Sequence, residues 1–182
     1  KLYEKFGIGF VSKLRGMFAF GIYDTEKCAW TIARDSSGIK PLFTAEIGGK
    51  LHFASELRTL LTAFPTKPPI NMRSLSRYMT LQYVPGPETM CEGIEQLPPG
   101  TILERKNGKS ALKTFTPEVQ ELPALHSKLL FKQNFPALMD DVVREHLVSD
   151  KPLGIFLSGG VDSTVVLHHM SNHAQKPIKT FT

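Results

Sequence analysis

The chain has 182 residues, of which 41% are hydrophobic and 21% are charged, the composition of an ordinary globular protein. Its formal net charge is +5, but the lysine and arginine residues are scattered, so the charge predicts no nucleic-acid partner. The longest apolar runs are far shorter than the roughly 18 residues of a membrane span, and no signal-peptide pattern opens the chain, so we expect no membrane partner.

The two cysteines and the two ends of the chain carry further expectations. Cys28 and Cys91 lie far apart and without CxxC spacing, which predicts neither a metal site nor a disulfide framework. Reduced thiols are typical of the cytosol, so we expect a cytoplasmic protein. The chain opens on Lys1 and closes on a strand pattern that has barely finished, so we expect both ends to be cut.

The first third of the chain predicts antiparallel strands. Residues 16–23 are apolar on both alternating faces, which indicates a strand covered on both sides, and residues 28–34 return after a polar turn to form a hairpin. Residues 40–44 and 51–55 predict a second pair of strands. Gly48-Gly49 supplies the positive φ angles of their tight connection.

Two helices and another hairpin follow. Ser55 is the predicted N-cap of the first helix, and Asn71 is the predicted N-cap of the second. Residues 101–104 then predict a strand, and the dipeptide Asn107-Gly108 is typical of a tight hairpin turn. A return strand towards Phe115 completes this region.

Residues 116–125 contain two prolines and few periodic apolar residues, which predicts a linker between domain 1–115 and domain 126–182. An amphipathic helix, entered through Pro136, then packs an apolar stripe on the next sheet. The stripe is Phe135, Leu138, Met139, Val142, Val143, His146 and Leu147. We expect the histidines here and on the next helix to be packing or helix-terminal residues rather than ligands. They are His146, His168, His169 and His173.

A polar turn between two apolar elements is the most specific local signal. Residues 153–157 predict a buried strand. Gly159 and Gly160 let the backbone turn sharply and approach a ligand, while Ser163 is placed to cap the following helix. Unpaired backbone N–H groups and the positive end of the helix dipole then point at one place. The pattern predicts a phosphate site.

This turn is not a Walker A loop, because no lysine precedes the final hydroxyl residue. The alternative interpretation is an ordinary serine-glycine turn in which Asp162 merely complements the helix dipole. Residues 178–182 predict a second strand. Strand, helix and strand would then form one βαβ unit with a right-handed crossover.

The run Ser158-Gly159-Gly160-Val161-Asp162-Ser163 resembles the SGGxDS loop of ATP pyrophosphatases, which cleave ATP between the α- and β-phosphates. Upstream, residues 15–20, 34–42 and 54–57 resemble the glutaminase half of glutamine-dependent asparagine synthetase. The segments Tyr83-Val84-Pro85 and Leu97-Pro98-Pro99-Gly100 are similar to those where the two halves of that family meet. The resemblance spans almost the whole chain.

The resemblance implies an α+β antiparallel sandwich of the N-terminal-nucleophile glutaminase type, followed by the start of an α/β doubly wound ATP-pyrophosphatase domain. It implies that ATP with Mg²⁺ adenylates the side-chain carboxylate of aspartate, and that ammonia from glutamine attacks the adenylate. The products would be asparagine, glutamate, AMP and pyrophosphate. Glutamine, aspartate and ATP are the implied partners, and for the assembly we consider a homodimer.

The same resemblance assigns the site. Leu157 would contact adenosine through its backbone, and Asp162 would help to place Mg²⁺. The implied residues for ATP and pyrophosphate are Leu157, Ser158, Gly159, Gly160, Val161, Asp162 and Ser163. By contrast, we expect Arg34, Asp35 and Glu56 to form a structural cluster that ties a loop to a helix cap.

No catalytic residue is assigned within this chain. The family's glutaminase nucleophile is a cysteine at the processed N-terminus, and we expect neither Cys28 nor Cys91 to replace it, because reactive cysteines need an electropositive, oriented site. We therefore expect the 182 residues alone neither to hydrolyse glutamine nor to complete the synthesis. The alternatives are a related amidotransferase or β-lactam-synthetase-like enzyme acting on another carboxylate, and a non-catalytic nucleotide-binding homologue.

Overall fold

The computed structural model describes residues 1–117, 128–174 and 176–182, with side chains of the long helix from residue 131. The chain divides into two compact units, Lys1–Glu118 and Val119–Thr182. Most of the predicted linker 116–125 lies outside the described residues, so the predicted domain division stays a prediction.

The first unit contains short helices and two antiparallel sheets. One sheet has the strand order β1-β2-β6-β7, and the other has the order β4-β3-β5. Its helices are α1 (Leu2–Phe6), a 3-10 helix (Gly7–Lys13), α2 (Leu57–Leu61) and α3 (Met72–Leu81). Its strands are β1 (Ala19–Asp24), β2 (Ala29–Arg34), β3 (Phe43–Ile47), β4 (Lys50–Ala54), β5 (Ile94–Gln96), β6 (Thr101–Lys106) and β7 (Lys109–Thr114).

Successive side chains of β2 point to opposite faces of its sheet, and each face packs on a different neighbour. Ala33 faces a cluster with Phe10 and Val11 of the 3-10 helix, whereas Ile32 faces Leu42 and Leu97 beside the second sheet. On the other face of the second sheet, a cluster of Ala45, Leu60 and Ile94 joins it to α2. The unit is thus a sandwich of antiparallel sheets with helical segments on its outer faces, and both faces of β2 are packed.

Both predicted hairpins of the first third are confirmed, but they lie in different sheets. Strand β5, which was not predicted, is the third strand of the second sheet and pairs with β3. The later hairpin is also confirmed: Asn107 and Gly108 have φ angles of 50° and 75°, as a two-residue turn between twisted strands requires. Three-residue β5 is too short to leave a periodic signal.

The predicted caps have mixed outcomes. Asn71 caps α3 as expected, because its side chain accepts hydrogen bonds from the N–H groups of Arg73 and Ser74. The Ser55 prediction is wrong, since Glu56 occupies the N-cap position of α2 and makes no capping hydrogen bond through its side chain.

The second unit contains α4 (Lys128–His146), β8 (Gly154–Phe156), α5 (Val161–His173) and β9 (Lys179–Phe181). Strands β8 and β9 are parallel, with Ile155 opposite Thr180, so the predicted strand-helix-strand unit is confirmed. The prediction that the long helix begins at Pro136 is wrong, because the helix runs through it. Phe131 and Phe135, one turn apart with ring centroids at 5.0 Å, support the turns before the proline.

Strand β8 is less covered than its apolar sequence predicts. Ile155 is half-buried, but Phe156 is 84% exposed. Continuous apolar strands are typical of sheets covered on both faces, and in the described part of the chain β8 pairs with β9 alone. The predicted burial of this strand is therefore wrong for the structure described. Among the described helices, none combines the length and apolar character of a membrane span.

Candidate functional site

The predicted phosphate loop lies between β8 and α5. The N–H of Leu157 donates to the carbonyl oxygen of Phe181 at 2.7 Å, which extends the β8–β9 pairing by one residue. The chain then leaves the sheet, turns through residues 158–160, and enters α5 at Val161. The structure thus brings the seven predicted residues, 157–163, together in one short connection at the end of a parallel strand.

The two glycines have different conformations. Gly159 has a φ angle of +76°, a region that side-chain-bearing residues rarely adopt, and a Cβ atom there would meet nothing within 4 Å. Gly160 is the N-cap of α5 with extended backbone, and a Cβ atom there would lie 3.3 Å from Ser158 Oγ. Glycine at 159 is required by backbone conformation, and its outer surface is open to a ligand.

Hydroxyl groups close a ring of hydrogen bonds around Gly160. Its N–H donates to Ser158 Oγ at 3.4 Å, the Ser158 and Ser163 hydroxyls are 3.3 Å apart, and the Ser163 hydroxyl donates to the Gly160 carbonyl oxygen at 3.2 Å. The prediction that Ser163 caps the helix is therefore wrong. It lies in the first turn, where its hydroxyl reaches back to a carbonyl group instead of accepting from an N–H group.

Sequence reasoning missed one member of this loop. The Thr164 hydroxyl donates to the same Gly160 carbonyl oxygen at 2.8 Å, beside the helical hydrogen bond from its own N–H at 3.2 Å. A threonine one residue past a recognised motif carries no signal of its own. The contact can be inferred only when the helix is known to begin at Val161.

The electrostatics of the loop favour an anion. The first N–H groups of α5 have no partners within the helix, and no side chain caps them. They lie at the positive end of a helix of 13 residues. Asp162, in the first turn, is exposed. In the described part of the chain, no three His, Cys, Asp or Glu side chains are arranged to hold a metal ion.

A second polar centre lies in the first unit at the end of β2. Arg34 donates to the carbonyl oxygens of Gly38, Lys40 and Leu97, and it is 4% exposed. Asp35, 1% exposed, accepts from four backbone N–H groups. Those donors are Phe18, Ser37, Ile39 and Lys40.

These contacts give the Arg34 and Asp35 pair a structural role, as predicted, although the details differ. The pair fixes the loop after β2, whereas the expected tie to a helix cap is wrong, since Glu56 makes no capping bond. Burial raises the pKa of Asp35, but the four N–H hydrogen bonds outweigh that effect and hold the pKa below its ordinary value.

The two thiols are separate and unpaired with each other. Cys28 is exposed in the β1–β2 turn with a φ angle of 47°, and its Sγ lies 3.5 Å from the Thr25 carbonyl oxygen. The charge of Cys28 raises the pKa of neighbouring Tyr23. Cys91 is half-buried, and its N–H donates to Thr89 Oγ1 at 3.2 Å. The absence of a catalytic role for either thiol stays a prediction.

The histidines have neighbours that the sequence did not reveal. His169 and His173 both contact the carboxylate of Asp140 on α4, at 3.2 and 2.8 Å. His146 Nδ1 lies 2.8 Å from the Val142 carbonyl oxygen one turn earlier, at the helix end as expected. Only the His-x-x-x-His spacing on α5 is visible in the sequence, and it does not name the carboxylate that both rings meet.

Comparison with known families gives these two units separate matches. Residues 1–116 match the glutamine amidotransferase domain family. The chain belongs to that family. Residues 134–182, which include the loop, match the asparagine synthase family. The chain thus joins an amidotransferase segment to a segment of asparagine synthase type, in the order that the sequence resemblance predicts.

Curated relatives align over nearly the whole chain. It is 35% identical to asparagine synthetase [glutamine-hydrolyzing] 1 of Bacillus subtilis, over 94% of this chain and 27% of that protein. It is 30% identical to asparagine synthetase B [glutamine-hydrolyzing] of Escherichia coli, over 98% of this chain and 27% of that protein. The chain therefore spans about a quarter of the length of these relatives. The resemblance to the glutamine-dependent asparagine synthetase family is confirmed.

Proposed function

We propose that this chain is part of a glutamine-hydrolysing asparagine synthetase. The observation that carries the proposal is the order of its parts: an amidotransferase match over residues 1–116 precedes an SGGxDS loop that lies within the asparagine synthase match over residues 134–182. In the proposed reaction, ATP adenylates the side-chain carboxylate of aspartate, and ammonia from glutamine displaces AMP. The products are asparagine, glutamate, AMP and pyrophosphate.

We propose a fold type and residue bounds for each domain as well. The antiparallel sandwich is the N-terminal-nucleophile glutaminase scaffold, covering residues 1–115, and residues 116–125 are the linker. Residues 126–182 begin a doubly wound ATP-pyrophosphatase domain, which the parallel β8–β9 pair with α5 as its crossover supports. The proposal also places the protein in the cytoplasm as a homodimer, with no role for nucleic acid or a membrane surface.

The loop's own groups support a role in holding the departing pyrophosphate. A carboxylate is a poor electrophile until one of its oxygens becomes part of a good leaving group, which adenylation achieves. As the bond between the α- and β-phosphates breaks, negative charge grows on pyrophosphate. N–H groups at the start of α5 and the open surface of Gly159 suit that charge. The ring through Ser158, Gly160 and Ser163 keeps these donors in place before the substrate binds.

Residues 157–163 carry groups that suit a nucleotide together with a metal ion. The loop is exposed and its donors are backbone N–H and hydroxyl groups, which suit phosphate oxygens. Asp162 supplies one hard oxygen donor, and Mg²⁺ usually takes one or two carboxylates together with substrate phosphates and water. When bound, Mg²⁺ neutralises charge on the phosphates. Leu157 is half-buried, and its backbone is proposed to face adenosine.

Product analysis tests the proposal. We expect the full-length protein, given Mg-ATP, glutamine and aspartate, to form AMP, pyrophosphate, glutamate and asparagine in equal amounts. Omission of aspartate should abolish AMP formation. ADP in place of AMP would exclude cleavage between the α- and β-phosphates.

The same assay separates the alternatives. AMP that forms only with an acid other than aspartate would favour a related amidotransferase or a β-lactam-synthetase-like enzyme. Nucleotide binding without AMP formation with any acid would favour a non-catalytic homologue. The relatives named above favour aspartate, because each is described as an asparagine synthetase.

A further inference from the structure

A single carboxylate on α4 collects the polar side chains of the last turns of α5. Asp140 Oδ1 lies 3.2 Å from His169 Nδ1, and Asp140 Oδ2 lies 2.8 Å from His173 Nε2. The hydrogen bond from His169, followed by that from His173, holds the pKa of Asp140 below its ordinary value.

The spacing of these donors gives the cluster a geometric consequence. Positions 169 and 173 lie one turn apart on the same face of a helix, so both imidazole rings meet Asp140 at one rotation of α5 about its axis. A shift of register by one residue turns the helix by about 100° and breaks every one of these contacts. Hydrogen bonds of this kind depend on direction, so they define the rotation of the helix more sharply than apolar contact does.

Apolar packing between the two helices is limited. In the described part of the second unit, Val143 and Met170 are the hydrophobic residues that are fully buried. Both also line an apolar cleft of about 360 Å³ between α4, β8 and α5. The polar cluster is therefore the part of this interface that specifies how α5 is rotated.

Rotation of α5 matters at its other end. His169 lies eight residues after Val161, a distance of roughly 12 Å along a straight helix. Asp162 and Ser163 belong to the first turn, and their directions follow the rotation of the same rod. We propose that Asp140 is a positioning residue for the phosphate loop: it acts through His169 and His173 to hold Asp162 and Ser163 towards a bound nucleotide. This inference rests on the proposed function, which assigns Mg-ATP to the loop.

Binding of Mg-ATP by the full-length protein tests this inference. We expect Asp140→Ala to weaken Mg-ATP binding about tenfold, and Asp140→Asn, which keeps one acceptor oxygen, to weaken it about threefold. The matched control is Asp141→Asn, because Asp141 is the neighbouring carboxylate and, among the residues that the structure describes, pairs with exposed Arg144 on its own helix at 2.7 Å. The control should bind as the parent does.

The partner side chains supply a second test from the other helix. His173→Asn should weaken binding as Asp140→Asn does, and the double variant should be no weaker than the worse single variant, since both changes remove one interaction. Imidazole ¹⁵N spectra give a readout that general loss of stability would not mimic. They should show the imidazole proton of His169 on Nδ1, the nitrogen that faces the carboxylate, in the parent, and the Asp140→Ala spectrum should show its loss from that nitrogen.

These measurements distinguish failure of the positioning role from failure of the proposed function. If Gly159→Val abolishes Mg-ATP binding while a folded Asp140→Asn or Asp140→Ala protein binds like the parent, the positioning role is overturned and the loop assignment stands. If the parent binds no Mg-ATP, or Gly159→Val has no effect, both proposals fail together. Equal weakening by Asp141→Asn would also overturn the positioning role.

Discussion

Arg34 Nη1 donates to the carbonyl oxygen of Leu97 at 2.6 Å, a contact between residues 63 positions apart. Arg34 ends β2 in the first sheet, and Leu97 follows β5 in the second. Both residues are buried. This hydrogen bond joins the two sheets at the edge of their shared core, and it explains why a charged side chain is retained there.

Replacement of Arg34 by methionine should destabilise the first unit by about 3 kcal/mol, because three carbonyl oxygens lose a charged donor. Trp30 is the single tryptophan of the chain and lies in β2, so its fluorescence during urea unfolding reports on this unit. Arg73→Met is the control, since Arg73 is exposed and its contact with Glu88, at 3.5 Å, is an ion pair at the surface. Equal unfolding midpoints for the two variants would contradict a role for the buried arginine.

Asp35 should make the first unit sensitive to acid. Although burial raises its pKa, four N–H hydrogen bonds hold the pKa below the ordinary value. The stabilisation is therefore complete above about pH 5, and it is lost as the pH falls through the unfolded pKa of about 3.9 towards the lower folded value. Asp35→Asn should cost about 2 kcal/mol at pH 7, because an amide cannot accept all four bonds.

The measurement is the urea midpoint of Trp30 fluorescence between pH 7 and pH 3. The Asp35→Asn midpoint should fall less over this range than that of the parent. Glu26→Gln, a change in an exposed turn, is the control and should keep the parent's slope. Parallel curves for Asp35→Asn and the parent would refute the assignment.

Asn71 should contribute about 1 kcal/mol as a helix cap. Its Oδ1 accepts from the N–H groups of Arg73 and Ser74, both at 3.1 Å. Asn71→Ala should lower the urea midpoint of the first unit, and Asn71→Asp should retain it, because aspartate offers the same acceptor at the same helix end. A retained midpoint in the alanine variant would show that the cap makes no net contribution.

Features that depend on neighbouring residues were predicted well from the sequence. The Asn107-Gly108 turn, the Asn71 cap and the glycine loop each need only local backbone conformation. Contacts across long separations were not predictable in the same way. The Arg34 bond to Leu97 and the Asp140 contact with His169 depend on how elements pack, which no local period encodes.

The failed predictions have the same origin. Ser163 has the residue type of a cap, but the helix begins two residues earlier, at Val161, so its hydroxyl meets a carbonyl group. Pro136 is a common first residue of helices, yet the aromatic pair before it supports further turns. In each case the residue type correctly indicated a helix nearby, but it did not show at which residue the helix begins.

Binding of the phosphates of Mg-ATP by residues 157–163 can be tested through the Mg-ATP affinity of the full-length protein carrying Gly159→Val. Gly108→Val is the matched control, because Gly108 has a φ angle of +75° against +76° at Gly159, and at both positions a Cβ atom would meet nothing within 4 Å. We predict that Gly159→Val weakens Mg-ATP binding at least tenfold, that Asp162→Ala does so in the presence of Mg²⁺, and that Gly108→Val leaves the affinity unchanged. Parent-like affinity in folded Gly159→Val and Asp162→Ala proteins would contradict the account.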